Sequence, residues 1–139
     1  MYHANTTRRK YRKQYKKGDD SCPFCTPVET KGDIKEFKDF YIIENGVKYD
    51  YWEGHRVIEH LLLIPYAHVE NLSELKANQY NELMKIISEY ETNGYSVYAR
   101  GVDSPRRSVK HQHTHLIKID KKQLRTILFI KKPYFLFKI

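Results

Sequence analysis

Three alternating histidines are the residues of this chain best suited to chemistry. His111, His113 and His115 lie in the segment HQHTHLIK. Because successive side chains of a β-strand point to opposite faces, a strand here places all three imidazoles on one face, about 6.5 to 7 Å apart. Imidazoles at this spacing can bind a metal ion or a phosphate group. A set of surface or core histidines is the alternative, and packing alone rarely explains such clustering.

A second candidate reactive pair, Cys22 and Cys25, lies in the segment CPFC, and the chain has only these two cysteines. They are too close for an ordinary structural disulfide. A C-x-x-C pair occurs both in zinc sites and in thiol–disulfide enzymes. A redox pair needs an apolar strand before it and a helix after it, whereas KKGDDS precedes this pair and TPVETKGD follows it. The context therefore favours a metal.

The elements that must position these groups begin with predicted strands. Residues 37–52 contain two aromatic and β-branched runs around Asn45-Gly46, a pattern that predicts a β-hairpin. His60 opens the apolar run HLLLIP, which predicts a buried strand that stops at Pro65.

A helix and further strands are predicted downstream. The helix runs from Ser73 or Asn78 to Glu91, because apolar residues recur there at i, i+3, i+4 and i+7. Asn93-Gly94 ends it, and the segments YSVYAR and SVKHQHTHLIKI are typical of strands. The apolar tail after residue 123 predicts a last strand that Pro133 interrupts. The predicted order is β-β-β-α-β-β.

Length and charge bound the rest of the interpretation. A chain of 139 residues is typical of one domain, and its net charge of +8 attracts phosphate-bearing partners. Seven basic residues and no acid lie between Arg8 and Lys17. We therefore predict a flexible basic arm over residues 1–20 and a folded domain over residues 21–139. No apolar stretch suits a membrane span or a secretory signal, so we expect a cytoplasmic protein without membrane contact.

Two segments resemble the histidine triad (HIT) family. HQHTHLIK resembles that family's His-x-His-x-His motif, and HLLLIPYAHVENLSEL resembles its segment that contains Pro-x-x-His. With CPFC upstream and NGYSVYAR between them, the resemblance covers residues 22–119. It implies an α+β fold with an antiparallel sheet, one main helix and a zinc knuckle near the N-terminus. It also implies a homodimer, a nucleotide substrate and a covalent nucleotidyl-histidine intermediate.

The resemblance assigns roles to individual residues. His113 matches the family's nucleophile, and a neutral imidazole is independently a good nucleophile near neutral pH. Ser108 matches the phosphate-contacting Ser or Thr. His115 matches the third motif position, which binds phosphate or helps proton transfer, and His60 matches a supporting histidine.

The same resemblance completes a metal site. In zinc-bearing HIT proteins and a related transferase branch, the Pro-x-x-His histidine and the first motif histidine join the two cysteines. Here these are His68 and His111, so a structural zinc is implied on Cys22, Cys25, His68 and His111. His55 and His60 are fallback ligands. The third motif position is His115 rather than the glutamine of the transferase branch, which favours hydrolysis.

Departures from the family pattern bear on specificity. Gln112 and Thr114 are polar where relatives carry hydrophobic residues, which predicts a wet or differently paired opposite face. Arg100 stands where relatives carry asparagine, and SPRRS, with Arg106 and Arg107, replaces a Gly-Gly-Gln stretch. We predict Arg100, Arg107, Ser108 and His115 as substrate-binding residues, since arginines clamp phosphates bidentately. Solvated loop charges are the alternative for any one arginine.

Three functions follow as hypotheses. The first is a nucleotidyl hydrolase or transferase acting at an α-phosphate of dinucleoside polyphosphates or nucleoside phosphoramidates. The second is the same chemistry on adenylated nucleic acid ends, with the basic arm binding nucleic acid in a salt-dependent manner. The third is a non-catalytic, zinc-stabilised nucleotide- or RNA-binding module. Loss of turnover in His113→Ala, loss of nucleic acid binding without the arm, and binding without turnover would distinguish them.

Overall fold

The computed structural model describes residues 22–25, 35–124, 127–131 and 134–138. The predicted basic arm, residues 1–20, lies outside the described residues. No helix in the described part of the chain is long and apolar enough to cross a membrane.

The described residues form one α-helix, a short 3₁₀ helix and eight strands. The helical segments are η1 (Leu72–Glu74) and α1 (Ala77–Thr92). The strands are β1 (Lys35–Glu36), β2 (Phe40–Glu44), β3 (Tyr51–Trp52), β4 (His55–Pro65), β5 (Ser96–Ala99), β6 (Thr114–Gln123), β7 (Ile127–Lys131) and β8 (Tyr134–Lys138).

Six strands make one antiparallel sheet, and five of them follow the order β1-β2-β4-β6-β5. β2 pairs with the second half of β4, and β3 pairs with its beginning. β7 and β8 form a separate antiparallel pair on either side of Pro133. The predicted α+β fold, an antiparallel sheet with one main helix, is confirmed.

The two faces of the sheet have different roles. One face carries the apolar core, in which Leu83 and Ile86 of α1 pack with Ile42, Leu63 and Leu116 of the central strands. Because side chains alternate along a strand, the opposite face carries the residues between these, including His60, Leu62, Ile64 and His115, and the His113 ring contacts that of His115 there. The register agrees, since Leu62 lies opposite His115 across β4 and β6. We call this the histidine face.

The helix prediction is confirmed within a few residues. α1 buries Leu83 and Ile86, the apolar positions that define its periodicity. Its first turn is capped by the Gln79 side chain, which accepts from the Lys76 backbone N–H at 2.9 Å. It ends before Gly94, whose φ of +83° is the left-handed conformation that glycine adopts without strain.

The hairpin predicted around Asn45-Gly46 is wrong. β2 and β3 both pair with β4 and do not pair with each other within the described sheet. The Asn45 side chain instead accepts from the Val47 N–H at 3.0 Å, and its backbone N–H donates to the His60 carbonyl at 2.8 Å. The tight turn lies at Glu53-Gly54, where both φ angles are positive, as in a type I′ hairpin between β3 and β4.

The strand predicted from Ser108 begins later, at Thr114. Its pairing with β4 ends at Leu63 opposite Thr114, and β4 itself ends at Pro65, so residues 108–111 would have no β4 partner. The segment before β6 bonds instead to the loop after β4, with the Gln112 N–H donating to the Val69 carbonyl at 2.7 Å. His111 and His113 therefore lie just before the strand, and only His115 lies within it.

Candidate active site and metal centre

The three motif histidines, together with His60, form a buried row along the histidine face. Each has a relative exposure of 7% or less. The rings of His113 and His115 lie 5.1 Å apart between centroids, and those of His115 and His60 are also 5.1 Å apart. Four imidazoles are therefore sequestered from water, and the hydrogen bonds among them decide which nitrogen of each carries a proton.

A chain of hydrogen bonds fixes the tautomers of His60 and His115. The Tyr49 backbone N–H donates to His60 Nδ1 at 3.1 Å, so the proton of neutral His60 is on Nε2. His60 Nε2 lies 2.8 Å from His115 Nδ1, which must then accept. The proton of neutral His115 is consequently on Nε2, a buried atom with no hydrogen-bond partner among the described residues. His115 thus presents an unsatisfied N–H donor.

His113 has the opposite tautomer. Its Nδ1 lies 2.9 Å from the backbone carbonyl of His111 and donates to it, which leaves the lone pair on Nε2. Burial lowers the pKa of His113, and Arg107 and Arg100 lower it further against the raising effect of the His111 carbonyl. The ring is therefore neutral at physiological pH, with an unprotonated nitrogen available for nucleophilic attack.

His115 is held neutral more strongly. Burial is the largest cause, and His60, His113 and Arg100 add to it, so the pKa of His115 lies far below its usual range. A neutral His115 can donate a hydrogen bond from Nε2. It does not carry a second proton to give away.

At the other end of the row, four predicted ligands come together. The ligand atoms of Cys22, Cys25, His68 and His111 all lie within 4.8 Å of one another. His111 Nδ1 is 3.3 Å from Cys22 Sγ and 3.5 Å from Cys25 Sγ, and Cys25 Sγ is 2.9 Å from His68 Nδ1. The structure thus forms a cluster that could bind a metal ion, as predicted.

The donor set of this cluster suits zinc. Zn–S bonds of about 2.3 Å and Zn–N bonds of about 2.0 to 2.1 Å at the tetrahedral angle give sulfur–nitrogen edges of about 3.5 Å. The two edges at His111, 3.3 and 3.5 Å, are close to this value, whereas the edge from Cys25 to His68, 2.9 Å, is shorter. His111 Nε2 donates to the Pro65 carbonyl at 2.9 Å, which leaves the Nδ1 lone pair for a metal. Such bonds orient histidine ligands in metal proteins.

Phe24, inside the C-x-x-C segment, connects the two ends of the row. Its buried ring contacts both His111 and His113 edge-on, at centroid distances of 6.0 and 5.3 Å. Its carbonyl accepts from the Tyr41 hydroxyl at 2.8 Å. The cluster therefore brings an apolar wall against the predicted nucleophile.

The predicted phosphate-binding residues lie in different environments. One guanidinium nitrogen of Arg100 donates to the Tyr49 hydroxyl, and the guanidinium carbon lies 5.5 Å from the Tyr98 ring centroid. Arg107 donates to the backbone carbonyls of Val109, Glu70 and Lys110, so it fastens its own loop. Ser108 is exposed on that loop. Its contact with phosphate stays a prediction.

Aromatic rings close the side of the site next to His115. Tyr98 stacks on His115 at 4.6 Å, Trp52 stacks on Tyr98 at 5.2 Å, and the Tyr49 and Tyr98 hydroxyls are 2.8 Å apart. Trp52 packs in the buried cluster with Tyr49, Val57 and Ile117.

Solved structures with the same architecture include three HIT-type proteins. A HIT family hydrolase from Clostridium thermocellum aligns with a TM-score of 0.56 and 20% identity over 78% of this chain and 100% of its own. A HIT family hydrolase from Legionella pneumophila aligns with a TM-score of 0.51 and 19% identity over 75% and 96%. A HIT-like protein aligns with a TM-score of 0.54 and 15% identity over 70% and 95%. The chain has the histidine triad fold.

The sequence comparisons, unlike the comparison of folds, find no match. A scan of protein-family models finds no match, and a search of curated proteins finds no relative. The predicted HIT-like fold is thus confirmed by structure, at identities too low to carry an activity. The function of this HIT-fold chain must be argued from its own site.

Several residues of the HIT-fold site escaped sequence reasoning. Tyr49 sets the tautomer of His60 through a backbone N–H, for which the sequence holds no signal. The sequence predicts Asn45 as a turn residue, whereas the structure places its Nδ2 3.2 Å from His60 Nε2. Tyr98 lies two residues before Arg100 in an alternating strand, a spacing that could have placed it on the histidine face.

Two further predictions concern the residues between the motif histidines and the fallback metal ligands. Gln112 and Thr114 are buried rather than wet, with exposures of 3% and 5%, and the Gln112 Nε2 has no partner among the described residues. The fallback ligand His55 lies away from the metal cluster, with its Nδ1 2.8 Å from the Asp120 carbonyl. His60 is likewise used in the hydrogen-bond chain to His115.

Proposed function

We propose that this chain is a HIT-type nucleotidyl hydrolase or transferase, cleaving at a nucleotide α-phosphate through a covalent intermediate on His113. One observation carries the proposal. The His113 ring, whose Nε2 is unprotonated, lies 5.1 Å between centroids from the His115 ring, whose buried Nε2–H has no partner among the described residues. A nucleophile next to an unsatisfied donor suits attack on an anionic phosphoryl centre.

In the first step, His113 Nε2 attacks the α-phosphorus. The Nε2–P bond forms, the bond from phosphorus to the leaving group breaks, and its electron pair departs with the leaving group. The Nδ1–H bond to the His111 carbonyl stabilises the positive charge that the ring gains. In the second step water attacks phosphorus and loses a proton to the solvent, the P–Nε2 bond breaks with its electron pair returning to Nε2, and the nucleoside monophosphate leaves. An acceptor other than water would make the reaction a transfer.

His115 is the donor for the phosphoryl oxygens in this proposal. Preorganised donors in a water-excluded site need no reorganisation when charge develops, and removing one such donor costs roughly 10²- to 10³-fold in rate. Ser108 and Arg100 are proposed to supply further contacts to the substrate phosphates. Arg107 is proposed to act mainly by holding the loop that presents them.

Zinc is the proposed metal, with Cys22, Cys25, His68 and His111 as its ligands. Four protein ligands leave no open position, so its role would be structural. It would hold the CPFC segment and the His111 backbone together, and His111 supplies the carbonyl that orients His113. The chemistry of the proposed reaction then belongs to the histidines.

A trapping experiment tests the nucleophile. The purified protein is incubated with diadenosine tetraphosphate or adenosine 5′-phosphoramidate, quenched in base, digested, and analysed by mass spectrometry. We expect an adenylate on the peptide that contains His113. His113→Ala should form no adduct, and His55→Asn, which alters a histidine bonded to Asp120 outside the row, should form it normally.

The outcomes separate the hypotheses. An adduct that persists in His113→Ala would contradict the assignment of the nucleophile. No adduct and no turnover with either compound would direct the test to adenylated nucleic acid ends. Nucleotide binding without turnover of any of these substrates would support the binding-module alternative instead.

The assembly and location remain proposals as well. We propose a homodimer in the cytoplasm, on the strength of the family resemblance. Nucleic acid binding through the basic arm is a second proposed interaction. Sedimentation equilibrium would test the first, and salt-dependent binding of the full chain against a chain lacking residues 1–17 would test the last.

A further inference from the structure

The strand register brings Arg100 next to the proposed nucleophile. β5 and β6 pair Tyr98 with His115 and Ala99 with Thr114, and this ladder ends directly before Arg100 on one chain segment and directly after His113 on the other. Tyr98 lies on the histidine face with His115, its partner in register. The guanidinium is held there by the Tyr49 hydroxyl and by the Tyr98 ring, which itself stacks on His115. Arg100 is thus a fixed cation beside the reacting atoms.

The hydrogen-bond chain prevents His115 from acting as an acid. The Tyr49 backbone N–H holds His60 in the tautomer whose Nε2–H donates to His115 Nδ1. Adding a second proton to His115 at Nδ1 would set two N–H groups against each other at 2.8 Å. His115 can therefore give a hydrogen bond but holds no spare proton for a leaving group.

These two features restrict the leaving group. An amine must gain a proton as it departs, whereas a phosphate departs as an anion and needs none. A fixed guanidinium stabilises a developing phosphate anion, and its five N–H donors allow it to bond to Tyr49 and to a phosphate oxygen together. The site thus favours substrates that release a phosphate.

We propose that Arg100 is a specificity-determining residue that selects substrates whose leaving group departs as a phosphate anion over those that release an amine. The proposal rests on the proposed function and names its substrate class as nucleotide phosphoanhydrides. His113 Nε2 bonds to the α-phosphorus as the P–O bond of the anhydride breaks. The electron pair leaves on the oxygen of the departing phosphate, next to Arg100, with no proton transferred.

The test compares two substrates in each variant. Release of adenosine monophosphate from diadenosine tetraphosphate and from adenosine 5′-phosphoramidate gives kcat/KM for an anionic and an amine leaving group. We expect Arg100→Gln to lower kcat/KM for the tetraphosphate by about 10²-fold. The value for the phosphoramidate should change by less than about 3-fold, as expected when no contact to the amine is lost. Arg100→Lys, which keeps the charge, should give an intermediate loss on the tetraphosphate.

A matched control and an internal ratio keep the result interpretable. Arg56→Gln removes the same charge from an exposed position on β4 and should leave both values unchanged. The ratio of the two kcat/KM values within one preparation does not depend on the folded fraction, so partial unfolding of a variant does not affect it.

Equal losses on both substrates in Arg100→Gln, or an unchanged ratio, would overturn the role of Arg100 while the proposed function stands. A wild-type protein that prefers the phosphoramidate would also overturn it. Absence of turnover and of a His113 adduct with either substrate would instead remove the proposed function, and this inference with it.

Discussion

The two ends of the histidine row use the same backbone device with opposite results. At the metal-cluster end, the Pro65 carbonyl accepts from His111 Nε2, so Nδ1 faces the cysteines. Two residues later, the His111 carbonyl accepts from His113 Nδ1, so Nε2 carries the lone pair. Adjacent histidines of one motif thus have opposite tautomers. In the proposed function, the first has a structural role and the second is the reacting residue.

This comparison explains why neighbouring buried histidines need not share a role. A backbone carbonyl is a fixed acceptor that selects which ring nitrogen keeps its proton. The group that faces the other, unprotonated nitrogen then decides what that nitrogen can bind or attack. At His111 the partners are thiol sulfurs, which suit a metal. At His113 no described residue bonds to Nε2, and the neighbouring group is a donor on His115. Variants at the two ends should therefore change different observables.

The largest expected effect is on activity at the reacting end. His113→Ala should lower kcat by on the order of 10⁴-fold or more, as loss of a nucleophile does in other covalent enzymes. Its metal content and melting temperature should remain close to those of the wild type, because His113 is no part of the metal cluster. Steady-state hydrolysis, metal analysis and thermal melting measure the three quantities. Retained turnover would show that His113 does not react.

Variants at the metal-cluster end should change the free energy of unfolding. Cys22→Ser or prolonged chelation should release bound zinc and lower the free energy of unfolding by about 3 kcal/mol or more, since structural zinc contributes directly to folding. Metal analysis beside denaturant unfolding measures both. Ser21→Ala, next to the same cysteine, is the matched control. Stability and metal content that are unchanged in Cys22→Ser would contradict a metal-binding role for this cluster.

Local pattern explains what the sequence could predict. The spacing of Leu83 and Ile86 predicts α1, and the apolar run from His60 to Pro65 predicts the end of β4. The alternation of His111, His113 and His115 predicts a shared face, although only His115 lies in β6. Each of these signals depends on the period of a single element, which is readable before folding.

Contacts between distant segments explain what could not be predicted. Asn45-Gly46 has the composition of a hairpin turn, but Asn45 bonds to Val47 and to the His60 backbone instead. The tautomers of His60 and His115 depend on a backbone N–H of Tyr49, eleven residues before His60 in the chain. A backbone N–H is present at almost every residue. Its position against a ring is therefore set by the fold and not by residue type.

A smaller expected effect is the pH dependence of the free energy of unfolding, to which His115 at the reacting end contributes. In the folded chain the pKa of His115 lies far below its usual range, so the ring stays neutral in mild acid. In the unfolded chain the same ring takes up a proton near its ordinary pKa of about 6.5. His115 therefore costs no stability above about pH 6.5, and the free energy of unfolding falls as the pH drops from there towards the folded pKa. At about pH 5, His115 should account for about 2 kcal/mol of lost stability.

Denaturant unfolding across this range measures the slope. His115→Gln removes the titrating group, so the loss of stability between about pH 6.5 and pH 5 should be smaller in that variant than in the wild type. His55→Gln, a histidine outside the row, is the matched control. Equal slopes in the wild type and His115→Gln would show that His115 is not held neutral by the fold.

The smallest effect concerns the loop that leads into both ends of the row. Arg107 donates to the carbonyls of Val109, Glu70 and Lys110, so Arg107→Gln should lower the free energy of unfolding by about 1 to 2 kcal/mol. Had its main role been substrate binding, KM would rise several-fold with stability unchanged. Arg106→Gln, at the neighbouring exposed position, is the control for lost charge. A stability loss specific to Arg107 would support a structural role for this residue. The carbonyls to which it donates belong to the segments that carry His68 and His111.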